Sequence, residues 1–133
     1  MRNVIQQTVV LPASAETLYQ MYLDPKEHEA VTGDPVTIAA QSGAPFSAFG
    51  GALSGTMLAF DPHNTIVQSW RSRQFHESDP DSTLGRYVAD DAAGGRIHLI
   101  HLDVPDHDYE GVTEGWQRYY WTPWKAYLES KTP

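Results

Sequence analysis

The segment that most constrains how this chain can fold lies near its C-terminus, from Gly111 to Lys131, with the sequence GVTEGWQRYYWTPWKAYLESK. It contains three of the four tryptophans of the chain and three of its seven tyrosines. At about 100° per residue, the large apolar side chains share one broad arc and the charged side chains share the opposite one. The segment therefore predicts an amphipathic helix that needs a large partner surface. The predicted apolar arc comprises Val112, Trp116, Tyr119, Tyr120, Trp124, Ala126 and Tyr127.

Pro123 lies in the middle of this predicted helix. A proline has no backbone N–H, and its ring crowds the carbonyl four residues earlier, which here belongs to Tyr119. We therefore expect the helix to kink at this point, as suits a helix lying along a curved sheet.

Length, charge and cysteine content limit the class of protein. A chain of 133 residues predicts one domain, residues 1–133, with a proper hydrophobic core. The formal net charge of −8 argues against a nucleic-acid or anionic-membrane partner. The chain has no cysteine and no apolar leader at its start, so we expect a soluble, cytoplasmic protein without disulfides.

The first 33 residues predict one strand and two short helices. Residues 2–11 have a β-rich composition that ends at Pro12. Apolar residues at helical spacing follow Ser14 and stop at Asp24, which predicts the first helix. Pro25 is suited to open a second helix, PKEHEAVT, and Gly33 is suited to end it.

The middle of the chain, residues 35–104, alternates short β-type runs with turn residues. We count six such strands at hairpin spacing, beginning with VTIAA at residues 36–40. The predicted order is therefore β-α-α-β6-α, an α+β fold in which a curved seven-stranded antiparallel sheet grips the C-terminal helix.

Several short motifs, in this order and spacing, give the chain a family resemblance over nearly its whole length. They are LPAS at 11–14, the Trp70-Arg71 pair, Val104-Pro105, and Gly115-Trp116 followed by YYWTPWKAYL. With these motifs the chain resembles the small single-domain homologues of the heat-shock protein 90 ATPase activator, within the START-like or SRPBCC (Bet v-like) superfamily. The resemblance implies a helix-grip fold with a cavity between the sheet and the long helix.

That cavity supplies the predicted site residues. The sequence places aromatic and apolar candidates on the helix and on several strands, and each of them is equally able to fill the core. The apolar candidates are Phe46, Met57, Trp70, Ile100, Trp116, Tyr120 and Trp124, and the polar candidates are His98, His101 and Tyr119.

The histidines do not predict a metal site. Residues three apart on a strand point to opposite faces, so His98 and His101 cannot both ligate one ion, and one of them should face solvent. Glu27-His28-Glu29 lacks the second histidine of a zinc-protease helix and is interpreted as a solvated face. We therefore expect neither metal nor cofactor, and we identify no catalytic residue.

Three functions stay open from the sequence. The first is binding of a small apolar or aromatic molecule in the cavity. The second is a cofactor-independent enzyme of the polyketide cyclase type, with a buried histidine or tyrosine as general acid or base. The third is a co-chaperone-like module that contacts a chaperone through an exposed face.

Overall fold

The computed structural model describes residues 2–131, and one antiparallel sheet is its largest part. The strands are β1 (Arg2–Leu11), β2 (Pro45–Ala48), β3 (Leu53–Asp61), β4 (Thr65–Ser72), β5 (Ser82–Asp91) and β6 (Gly94–Pro105). Their order in the sheet is β1-β6-β5-β4-β3-β2, so each strand from β2 onward pairs with the next along the chain, and β1 pairs with β6.

The prediction of seven strands is wrong, since the described residues form six. The segment 36–40 makes only an isolated bridge between Thr37 and Ser47. The backbone turns directly afterwards, where the N–H of Gln41 donates to the carbonyl of Ala39 at 2.9 Å. The segment still buries Val36 and Ile38, which explains its β-like apolar pattern without a strand.

Two short helices follow β1, as predicted: α1 (Ala15–Leu23) and α2 (Pro25–Thr32). The hydroxyl of Ser14 caps α1 by accepting a hydrogen bond from the N–H of Thr17. The carboxylate of Asp24 caps α2, and Gly33 ends it at φ 89°, a left-handed conformation that favours glycine. Local capping chemistry therefore fixes both helices.

The C-terminal helix has three parts: α3 (Tyr109–Trp116), a π-helical turn (Gln117–Trp121) and α4 (Thr122–Ser130). A short 3-10 turn, Asp106–Asp108, connects β6 to α3. No helix among residues 2–131 has the length and apolarity needed to cross a membrane.

A π turn lies just before Pro123, where the sequence predicts a kink, and it changes which side chains are buried. In it, the N–H of Thr122 donates to the carbonyl of Gln117, so one extra residue enters the turn just before Pro123. The rest of the helix therefore rotates by about 100° relative to a regular α-helix. Tyr119 and Ala126, predicted to be buried, are exposed, whereas Trp121 and Leu128 are buried.

The core lies between the helices and one face of the sheet. Alternation along the strands selects this face, as in β5, where Ser82, Leu84, Arg86 and Val88 are buried. The C-terminal helix contributes the large buried side chains Val112, Trp116, Tyr120, Trp121, Trp124 and Leu128.

Candidate functional site

A groove opens between the first part of the C-terminal helix and the strands β3 and β4. It encloses a cavity of about 470 Å³. Its walls are predominantly aromatic and aliphatic, and glycines on α3 leave room for it. The lining residues are Phe49, Ala52, Leu53, Trp70, Ser72, Arg73, Gln74, Asp108, Gly111, Val112, Gly115, Trp116, Tyr119 and Tyr120.

The groove also contains two charged side chains, Arg73 and Asp108. Arg73 is exposed and donates one long hydrogen bond, of 3.3 Å, to the carbonyl of Gly50. Asp108 occupies the N-cap position of α3 without making a side-chain cap hydrogen bond. Partial burial raises the pKa of the Asp108 carboxyl above its usual value, while nearby His107 opposes this shift. The groove thus offers one cation and one carboxyl group beside an apolar wall.

Four of the predicted site residues meet in this groove. Trp70 comes from β4, Trp116 and Tyr120 come from the C-terminal helix, and Tyr119 lines the groove with 51% of its surface exposed. The ring of Phe49, which the prediction left out, contacts both Tyr119 and Tyr120 in edge-on geometry. Phe46, Met57 and Trp124 are buried in the core, outside the set of lining residues.

Ile100 and His98 do not line the cavity as predicted, because both lie on the outer face of the sheet. Ile100 is 40% exposed, and the exposed His98 bonds the hydroxyl of Thr8 at 3.1 Å. The inward residues of β6 are Ile97, Leu99 and His101, which alternate with them. The outer face carries a depression of about 560 Å³, but strand residues alone form it, so it lacks the helical wall of the groove.

His101 lies behind the groove in a chain of hydrogen bonds that fixes its tautomer. The indole N–H of Trp116 donates to its Nδ1 at 3.2 Å, so the ring proton must lie on Nε2. Nε2 then donates to the hydroxyl of Ser82 at 2.8 Å, and that hydroxyl donates to the carbonyl of Trp70 at 2.6 Å. Burial lowers the pKa of His101 to about 3, and the ring is therefore neutral at pH 7.

His28 was predicted to lie on a solvated face, and this is wrong, because it is fully buried. Its Nδ1 bonds the carbonyl of Tyr22 at 2.9 Å, and its Nε2 accepts from the hydroxyl of Tyr120 at 3.0 Å. Burial lowers the pKa of His28 to about 4. His28 lies three residues before the buried Val31, so both lie on the same face of α2. This spacing was the sequence signal for the orientation of His28.

Arg86 is a buried cation that the sequence interpretation missed. It is 3% exposed, and no carboxylate among residues 2–131 forms an ion pair with it. Its guanidinium lies 3.8 Å from the centre of the Tyr22 ring, and one of its nitrogens, Nη1, is buried without a hydrogen-bond partner. Burial lowers the pKa of Arg86. The alternation of Leu84, Arg86 and Val88 along β5 was the signal that could have identified it.

A family model and curated relatives with similar sequences agree on one family. The family model described as "Activator of Hsp90 ATPase homolog 1-like protein" matches residues 12–129. A curated human relative, "Activator of 90 kDa heat shock protein ATPase homolog 1", is 28% identical over 107 residues, which is 80% of this chain and 31% of that protein. The chain thus spans about a third or less of the length of the curated relatives it matches.

Solved structures of other proteins share the fold. An HSP90 activator from Plasmodium falciparum superposes with a TM-score of 0.83 at 19% identity, covering 95% of this chain and 96% of that one. A protein in the dynemicin biosynthetic locus superposes with a TM-score of 0.79 at 16% identity, covering 100% of this chain and 49% of that one. At these identities the likeness shows the fold alone.

Proposed function

The chain belongs to the Activator of Hsp90 ATPase homolog 1-like protein family, and from that premise we propose that it binds a small apolar or aromatic molecule in the groove between the C-terminal helix and β4. The volume and the lining of the groove support the proposal. Its volume of about 470 Å³ lies within the range of small-molecule sites, about 300–1,000 Å³. Such sites combine mostly apolar walls with a few polar groups, and this groove does so as well.

The lining indicates the chemical class of the ligand. Trp70, Trp116 and Tyr120 favour a flat aromatic ring system, which stacks on or meets their rings edge-on. Arg73 provides donors for a carboxylate, phenolate or carbonyl oxygen, and Asp108 provides an acceptor for a hydroxyl group. We therefore expect an oxygen-bearing aromatic compound to bind more tightly than a plain fatty acid.

Tryptophan fluorescence and thermal denaturation test the proposal against a panel of aromatic polyketides, flavonoids, fatty acids and sterols. A ligand at 100 times its dissociation constant stabilises the fold by about 2.7 kcal/mol, which is a readily measured shift in Tm. Trp70 and Trp116 line the groove, so we also expect their emission to change on binding.

A pair of leucine substitutions on the C-terminal helix locates the binding site. Gly115 lines the groove, and a Cβ added there meets only the Tyr119 ring, at 3.7 Å, so Gly115→Leu should fold and fill the groove. Ala126→Leu adds a leucine to an exposed position outside the groove. We expect Gly115→Leu to weaken binding at least tenfold and Ala126→Leu to leave it unchanged. Equal binding by both variants, or no binding by the panel, would overturn the proposal.

Contact with an Hsp90-type chaperone is the second candidate function. Family membership favours it, as do the names of two relatives as activators of the 90 kDa heat shock protein ATPase. The outer face of the sheet exposes Tyr87, Ile100 and Leu102, apolar side chains suited to a protein contact. Stimulation of a purified bacterial Hsp90 ATPase that is lost in Ile100→Glu but kept in Gly115→Leu would support this function and separate it from ligand binding.

Asp108 is the carboxyl group that the groove offers for catalysis. His98 lies on the outer face, and both ring nitrogens of His101 are engaged in hydrogen bonds, so neither is available to a molecule in the groove. A carboxyl with a raised pKa is suited to general acid or base chemistry. Turnover of a bound panel compound that is lost in Asp108→Asn, with binding retained, would extend the proposed function to an enzyme of the polyketide cyclase type.

A further inference from the structure

Away from the hydrophobic walls of the groove, three potential metal ligands converge from two loops. His76 and Asp79 lie in the loop between β4 and β5, and His107 lies in the 3-10 turn before α3. Their ligand atoms all lie within 4.8 Å of one another. Nε2 of His107 lies 2.8 Å from Oδ2 of Asp79, and Nδ1 of His76 lies 4.0 Å from the same oxygen. We propose that these three side chains bind a divalent transition-metal ion of the zinc class.

The donor set and the distances suit this class of ion. Two imidazole nitrogens and one carboxylate oxygen are ligands that zinc accepts, and three protein ligands leave a fourth position for water. Around a tetrahedral zinc ion, neighbouring ligand atoms lie about 3.4 Å apart. The observed separations of 2.8 and 4.0 Å lie on either side of this value. Metal binding replaces the present hydrogen bond between Nε2 of His107 and Oδ2 of Asp79, and the exposed histidine side chains must turn until both nitrogens face the ion.

The loop that carries two of the ligands is already fixed by hydrogen bonds. The guanidinium of Arg71 donates to the carbonyls of His76 and Asp79, each at 2.7 Å. The N–H of His76 donates to Oδ2 of Asp79 at 2.8 Å, and the N–H of Asp79 donates to the carbonyl of His76 at 2.9 Å. The loop is already ordered, so metal binding loses little conformational entropy there.

The two histidine rings lie close together in a face-to-face stack, so one ring must turn before both nitrogens bind the same ion. The rings of His76 and His107 stack with centroids 3.8 Å apart and planes only 9° from parallel. Both side chains are accessible to solvent, so an ion has an open path to the site. The net charge of −8 favours the approach of a cation. Metal binding at this site does not require a ligand in the groove, although Gln74 and Asp108 place the site beside its rim.

The experiment uses the full chain without an affinity tag, titrated with Co²⁺ and Zn²⁺ at pH 7.5. Visible absorption follows Co²⁺, and calorimetry follows Zn²⁺. We expect one ion per chain, and we expect affinity to fall at least tenfold in His76→Ala and in His107→Ala. The matched control is His98→Ala, an exposed histidine on the outer face of the sheet, which should bind as the unsubstituted chain does.

Two further measurements keep the test decisive. Asp79→Asn retains an oxygen that can accept from the N–H of His76 but removes the charged ligand, so it should weaken binding while the loop stays folded. Lowering the pH should release the ion, because imidazole binds metals in its neutral form. Absence of binding at pH 7.5, or equal binding by His107→Ala and His98→Ala, would overturn the proposal.

Discussion

The indole N–H of Trp116 donates a hydrogen bond of 3.2 Å to Nδ1 of His101, which joins the C-terminal helix to the last strand of the sheet. Both residues are buried, and Trp116 also lines the groove. This single contact therefore links the wall of the groove to the polar chain that continues through Ser82 to the backbone of Trp70.

Trp116→Phe should destabilise the fold. Phenylalanine fills most of the same space but leaves Nδ1 of His101 buried without a donor, which costs about 1–3 kcal/mol. Urea denaturation of the variant and the unsubstituted chain measures this loss. Tyr119→Phe serves as the control, because the Tyr119 ring is half exposed and its substitution should change stability by less than about 0.5 kcal/mol. If Trp116→Phe loses as little stability as Tyr119→Phe, the hydrogen bond to His101 contributes nothing to the fold.

Stability should fall as the pH drops from about 6.5 to about 4, because two buried histidines resist protonation. The pKa values of His28 and His101 are lowered from 6.5 to about 4 and about 3. Above pH 6.5 these histidines are neutral in both states. Below pH 6.5 the unfolded chain takes up protons that the folded chain does not. Each histidine therefore lowers the free energy of unfolding by about 1.4 kcal/mol per pH unit. Urea denaturation at pH 7.5, 6.5, 5.5 and 4.5 measures this slope.

His101→Gln tests the assignment of that slope. A glutamine side chain can accept from Trp116 through its oxygen and donate to Ser82 through its nitrogen, but it does not titrate. The slope of the free energy of unfolding against pH should therefore decrease by the contribution of one histidine. The exposed His98→Gln should leave the slope unchanged, and an unchanged slope in His101→Gln would contradict the assignment.

Arg86→Met should be neutral or stabilising, despite removing a contact with Tyr22. Stacking of a desolvated guanidinium on an aromatic ring is worth about 2 kcal/mol. Burying an unpaired cation costs several kcal/mol, which exceeds that gain. Thermal and urea denaturation measure the balance. A loss of more than about 2 kcal/mol in the variant would show that the guanidinium has a favourable partner in the core.

Two glycine-to-alanine substitutions should have opposite effects. A Cβ on Gly55 in β3 would clash with the carbonyl oxygen of Ser69 on the paired strand, so Gly55→Ala must separate the two backbones. We expect a loss of about 2 kcal/mol or more. At Gly115 the Cβ has ordinary contact distances, and alanine favours the helix by about 0.5–1 kcal/mol. The same sign for both changes in Tm would contradict this reading.

The sequence predicted the parts of the fold that local chemistry specifies. The N-caps at Ser14 and Asp24 and the glycine at 33 fix α1 and α2 within a few residues, so their bounds agree with expectation. The segment 36–40 was misassigned because buried apolar residues look alike in a strand and in an irregular segment. Periodicity reports burial, and strand pairing depends on partners distant in sequence.

The site was predicted less completely, for two physical reasons. Adjacent residues of a strand face opposite sides, so Ile100 and His101 could not both reach the cavity, and the sequence alone does not say which face is buried. Polar core residues are a second difficulty, because His28 and Arg86 are types usually found at the surface. Their burial depends on tertiary partners such as Tyr120 and Tyr22.

The π turn divides the C-terminal helix into two parts with different tasks. Residues before it, such as Trp116, shape the groove, whereas residues after it, Trp124 and Leu128, anchor the helix in the core. Because the extra residue resets the helical phase between them, the two parts meet the sheet independently. An exchange at Gly115, which lines the groove before the π turn, therefore reshapes the groove while Trp124 and Leu128 keep the helix anchored in the core.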